Sequence, residues 1–162
     1  MRTKQTRPDP RVELLLANLD YAFDKTAWHG PNLSASVRGI RAAEAARSIG
    51  GRKSIWEQTL HAAYWKQRVL NKLVGTQKFP RSGSNWPMMP ELRSRDERAW
   101  QADIKLLHDV HRSLRDAVAR VDPSRLDEKL IRLILGAAAH DLYHAGQIRL
   151  LKRMLGKGRR AN

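Results

Sequence analysis

Apolar positions recur at steps of three and four along four long stretches of the chain, and no stretch alternates for the length a strand needs. The first stretch opens after Asp9, with Pro10 in the first turn, where its missing amide has no helical partner to lose. It repeats Val12, Leu15, Leu16, Leu19, Ala22, Phe23 and Thr26, and the pattern predicts a helix as far as the Gly30-Pro31 break. An Ala-rich, basic segment from Ser34 to about Ala46 reads as a short helix ending before Gly50-Gly51. The second long helix starts with a capping box, Ser54 and Glu57, and runs to Gly75.

A linker of about twenty residues follows, TQKFPRSGSNWPMMPELRS, carrying three prolines and the apolar cluster Trp86, Met88 and Met89. A second capping box, Ser94 with Glu97, is expected to open the third helix. Its stripe, Trp100, Ile104, Leu107, His111, Leu114, Val118 and Val121, has the spacing of bundle packing. Asp122-Pro123-Ser124 ends it, and a fourth helix is expected from about Asp127 to Leu155. The pattern therefore predicts an all-α four-helix bundle with a short extra helix between the first two long ones. The 162 residues suit one domain, with a core over about 10–155 and basic ends at 1–8 and 156–162.

Composition narrows the chemistry. The chain has no cysteine, which excludes disulfides, thiolate metal sites and a cysteine nucleophile. The first apolar run, Leu14 to Ala17, is cut short by Asn18 and Asp20, so it does not read as an export signal. The longest, Leu133 to Ala139, is far below the roughly 18 residues of a membrane span. No membrane partner is expected, and a cytoplasmic protein is the default reading. The net charge of +15 asks for an anionic partner, nucleic acid included. It is spread out, however. The richest block, residues 34–78, holds nine Lys and Arg against two Glu, and surface solubility is the plainer reading.

The fourth helix poses a chemical question. Its row Leu133, Ala137, His140, His144, Ile148, Leu151, Leu155 places two histidines one turn apart on an apolar face. Two imidazoles at i and i+4 can aim at one cation; equally, both can be core histidines bonded to a carbonyl, a carboxylate or water. A tight site needs a third ligand. His61, His111, His29 and His108 are the candidates. Periodicity favours His111, because His61 shares its side of the helix with Glu57, Gln58, Arg68 and Lys72. Spacing alone leaves the choice open.

The stretch LHAAYWKQRVLNKL, followed about 65 residues later by AHDLYHAGQIRLLKR, with WHGPNL after the first helix, resembles the DinB/YfiT-like superfamily from about Pro10 to Leu155. The resemblance implies a bundle holding a divalent metal through three histidines, one on the second helix and two on the fourth, carried over here to His61, His140 and His144. His111 then stands as a neighbouring group or extra ligand. Three imidazoles suit zinc, nickel or iron alike, and leave the ion open positions for water, a thiol or a carbonyl oxygen. The superfamily includes thiol S-transferases and a thiol-dependent isomerase, and many members are described only as metal-dependent hydrolases. The resemblance thus implies a small-molecule substrate, a low-molecular-weight thiol as cofactor and a homodimer.

Around this site, Tyr143 and Gln147 are candidate pocket residues, and Asp141 a salt-bridge partner. Arg68, Arg149 and Lys152 are candidate receivers for the carboxylates of a thiol. Trp86, Met88 and Met89 form either a lid, a clamp on the bundle end or a dimer contact. The expected function is metal-dependent transfer or hydrolysis. Two alternatives stand beside it: a non-catalytic, stress-related protein with a structural metal and a nucleic-acid-binding surface, and a dimeric scaffold whose own groups block the open metal positions.

Overall fold

The computed structural model describes residues 9–88 and 95–158, and no strand occurs among them. The elements are α1 (Pro10–Phe23), α2 (Leu33–Val37), α3 (Ala42–Ala45), α4 (Ile55–Val74), α5 (Glu97–Ala119), a 3-10 turn (Pro123–Arg125) and α6 (Glu128–Gly158). Side chains cap the four long helices, supplying acceptors for amides that helix geometry leaves unpaired. Asp9 accepts from the Arg11 amide at 2.8 Å and Asp127 from the Leu130 amide at 2.7 Å. Ser54 and Glu57 form the reciprocal box expected of them.

Several boundaries differ from the pattern, α6 among them, which runs past the expected Leu155 to Gly158. α1 stops at Phe23, leaving Thr26 exposed in a loop. The amides of Asp24 and Lys25 both turn back onto the Asp20 carbonyl, and the Asn32 side chain takes the Lys25 carbonyl at 2.8 Å, so the chain bends at once toward α2. The expected single short helix is two, parted at Gly39, whose φ of +72° suits glycine and breaks the helical path. The break sinks Ile40 into the core, where its carbonyl accepts from the Trp100 indole at 2.7 Å. α5 is capped by Asp96, which accepts the amides of Arg98 and Ala99, rather than by Ser94. Glu97 is thereby freed to accept from the Ala42 amide, tying α3 to α5. Ser94 and Met89 lie outside the described residues, as do most of the basic ends.

α4 packs between α5 and α6, and α1 packs against the same two helices. The buried apolar residues divide into two clusters. One gathers Phe23, Leu33, Trp56, Leu60, Trp100, Leu107, Ile148 and Leu151; the other gathers Leu15, Leu19, Leu70, Leu73, Leu114, Val118 and Ile134. Trp56 and Trp100 are fully buried in the first, each removing enough area for roughly 4–6 kcal/mol of transfer free energy. Along α4, α5 and α6 the changeover between clusters falls at Lys66, His111 and Asp141. These three form a buried polar layer. The Lys66 ammonium reaches Asp141 at 2.5 Å and His111 Nδ1 at 3.1 Å, and stands 4.8 Å above the Phe23 ring. No helix among the described residues is long and apolar enough to cross a membrane.

Candidate metal centre

His61 lies in the second turn of α4, and His140 and His144 lie mid-way along the neighbouring α6. Their Nε2 atoms converge: His140 to His61 is 3.2 Å and His144 to His140 is 3.0 Å. The opposite ring nitrogens decide what that convergence means. His61 Nδ1 is 2.5 Å from the Asn85 carbonyl oxygen, which can only accept, so Nδ1 carries the proton. His144 Nδ1 likewise donates to Oε1 of Gln58. Both Nε2 atoms are therefore bare lone pairs, and both face His140 Nε2, which has at most one hydrogen to offer. Three such nitrogens make poor neighbours without a shared cation. The two separations from His140 sit just under the roughly 3.3 Å between nitrogens of a tetrahedral zinc site, and all three ligand atoms lie within 4.8 Å of one another. The donor set fits a divalent ion held by His61, His140 and His144.

The linker after α4 completes this arrangement. Phe79 is buried against Tyr64, and Arg81 pairs with the buried Asp103 of α5, whose other oxygen accepts from the Trp56 indole at 2.7 Å. So anchored, the linker crosses the end of the site. Asn85 adopts φ +60°, a left-handed conformation asparagine tolerates better than most residues, and this aims its carbonyl at His61. The Trp65 indole donates to the Asn85 side chain at 2.9 Å, and Trp86 stacks on the His61 ring with centroids 3.9 Å apart. Polar neighbours of this kind fix the tautomer and orientation of a ligand imidazole.

Electrostatics keep the rings neutral, the state in which imidazole ligates. Burial pushes His144 down to about 3 and His140 down to about 4, with the adjoining imidazoles adding to the effect. Burial also lowers His61, opposed by its bond to Asn85.

A pocket of about 440 Å³ opens over the triad, lined also by Tyr143, Gln147, Gln58, Trp86, Arg52 and Lys53. Tyr143 and Gln147, the candidate pocket residues, are among the side chains that line it. His111 does not line this pocket. It is stacked on Phe23 at 3.8 Å in the polar layer, with burial first and Lys66 second pushing it down to about 2. Its stripe faces the core, as periodicity indicated, but the core face of α5 is not the pocket wall. Asp141 forms the salt bridge expected of it, with Lys66. Complete burial raises its carboxyl to about 6 against the opposing pull of Lys66.

Arg68, Arg149 and Lys152 lie off the pocket, Lys152 donating instead to the Arg38 carbonyl. The cations at the mouth are Arg52 and Lys53, which no helical periodicity could have flagged because they follow the Gly50-Gly51 break. The sequence pattern sets Gln58 beside His61 on α4 but gives no sign of the contact it makes, which is with His144 of α6. Met88 is exposed.

A second group, Asp20, Asp24 and His111, also brings three ligand atoms together. It is a poor metal site. Arg115 holds both carboxylate oxygens of Asp20, and the Lys66 ammonium donates to His111 Nδ1, which places the ring's own proton on Nε2.

Fold and site together define a helical bundle with a three-histidine group able to hold a metal ion. The family model described as DinB superfamily matches residues 25–148, and the chain belongs to that superfamily. Comparison with curated proteins and with solved structures gives no match.

Proposed function

We propose that this protein is a metal-dependent enzyme of the thiol S-transferase or hydrolase type, acting on a small molecule at the ion held by His61, His140 and His144. The observation that carries the reading is the meeting of three Nε2 atoms, two of them stripped of protons by acceptors behind their rings. A divalent ion so held keeps its full charge and supplies Lewis-acid polarisation of a substrate oxygen or thiol. The chain's own groups do the rest. Asn85 and Gln58 hold two ligand rings in place, while the Trp86 indole covers the face of His61. Tyr143 and Gln147 offer hydrogen-bonding groups on the α6 side of the pocket.

An open pocket above the triad supports a catalytic role over a purely structural metal, since structural sites are closed by their ligands. Elemental analysis of untagged protein beside His140→Ala and His144→Ala tests the reading. Near-stoichiometric zinc, nickel or iron is expected in the wild type and its loss in both variants. Equal traces in all three would reject the site. Incubation with glutathione, bacillithiol or mycothiol and an electrophile then tests for thiol transfer. Salt-sensitive DNA retention that persists in His144→Ala, with no turnover, would favour the nucleic-acid alternative.

A further inference from the structure

The pocket over the three histidines has no acidic residue in its lining, although two cationic residues stand at its mouth. They are not equivalent. The Lys53 ammonium is bonded to Glu57 at 2.9 Å and lies 5.3 Å over the Trp86 ring, so its charge is partly answered. Arg52 has no such partner: among the described residues its guanidinium makes neither an ion pair nor a hydrogen bond. Its backbone is nonetheless fixed. The Arg52 amide donates to the Ile49 carbonyl at 3.1 Å, and its carbonyl accepts from the Ser48 hydroxyl at 2.6 Å. The guanidinium lies across Gly50, where a Cβ would stand 3.0 Å from Nη1, so the glycine clears the space the fork occupies. A guanidinium that no described residue answers, carried on a fixed stretch of backbone beside three neutral imidazoles, is suited to a bidentate oxyanion.

We infer that Arg52 is an oxyanion-recognising residue of this pocket, and that the substrate or thiol cofactor bears a carboxylate or phosphate held by Arg52 while its reactive end reaches the histidines. This rests on the proposed metal-site reading and names the substrate class it would serve. Arg52 acts by binding and orienting, with Lys53 adding to the local field and the Trp86 indole closing one side.

Calorimetric titration with two probes, succinate and inorganic phosphate, tests the inference on wild type, Arg52→Gln, Arg52→Lys and Arg149→Gln, with metal content measured on each sample. Arg149 is exposed on the same helix as two of the histidines but off the pocket, so its variant controls for general loss of charge. One or both probes are expected to bind wild type, with the preferred one identifying carboxylate or phosphate. Affinity should fall about 10- to 100-fold in Arg52→Gln, the worth of a charge-assisted pair, and by less in Arg52→Lys, while Arg149→Gln matches wild type. Metal content should be unchanged throughout. Equal affinity in wild type and Arg52→Gln, both holding metal, would overturn the inference and leave the anion on the ion alone. Absence of binding by either probe would also overturn it. Should wild type hold no metal and Arg52→Gln still weaken binding, the metal reading fails and the oxyanion site stands.

Discussion

Gln58 touches none of the converging Nε2 atoms, yet it decides which nitrogen of His144 is bare. Its Oε1 accepts a hydrogen bond from Nδ1–H, which keeps the proton there and leaves the lone pair of Nε2 on the side where His140 and His61 lie. Gln58→Leu keeps the volume and removes the acceptor. Metal affinity, read by competition with a chromogenic chelator, is expected to fall about 10- to 100-fold with the fold intact. An unchanged affinity would show that packing alone orients the ring. Residue-scale features of this kind were the least legible in the sequence. Helix periodicity reports burial against other helices, and it set His61 among polar neighbours. That side becomes interior because α6 brings His140 and His144 against it and the linker folds over it with Trp86 on the imidazole. The cap at Ser54 was legible because it is satisfied within three residues of itself. His61 was singled out by resemblance to a family, and the placement of Asn85 and Arg52 by neither route.

α4 and α6 carry all three histidines, and the same two helices are bolted together by the Lys66–Asp141 pair, with side chains 1% and 0% exposed. Ion pairs this deep contribute little net stability compared with apolar packing, but losing one partner strands the other charge. Lys66→Met is therefore expected to destabilise the protein by about 3–5 kcal/mol in urea unfolding, and Lys66→Met/Asp141→Leu to recover much of it. If the single variant unfolds at the wild-type urea concentration, the layer is not holding the helices. Element existence and order were readable, since four long apolar stripes leave few alternatives to a bundle. The early end of α1 and the break at Gly39 were not. Both depend on contacts made elsewhere in the fold, from Asn32 to Lys25 and from Trp100 to Ile40.

At the scale of the whole molecule, burial of titratable groups sets the response to acid. His140, His144 and His111 are held near 4, 3 and 2, below the ordinary 6.5, so the unfolded chain binds protons that the native state refuses. Their contribution is fully present above pH 6.5 and is lost progressively as pH falls toward those values. Asp141, raised to about 6, acts with the opposite sign between its ordinary 3.8 and 6, but it is one group against three. Metal-free protein should thus melt at lower temperature at pH 5 than at pH 7.5, and His144→Gln should flatten that slope. A melting temperature independent of pH across this range would contradict the burial described. The linker has an effect at this scale too. The carbonyl that keeps His61 in its ligating tautomer belongs to a segment fastened at Phe79 and Arg81, outside the pocket. Departure of an ion and lifting of that strap are then linked events, and the residence time of whatever the histidines hold is governed by two anchors that never touch it.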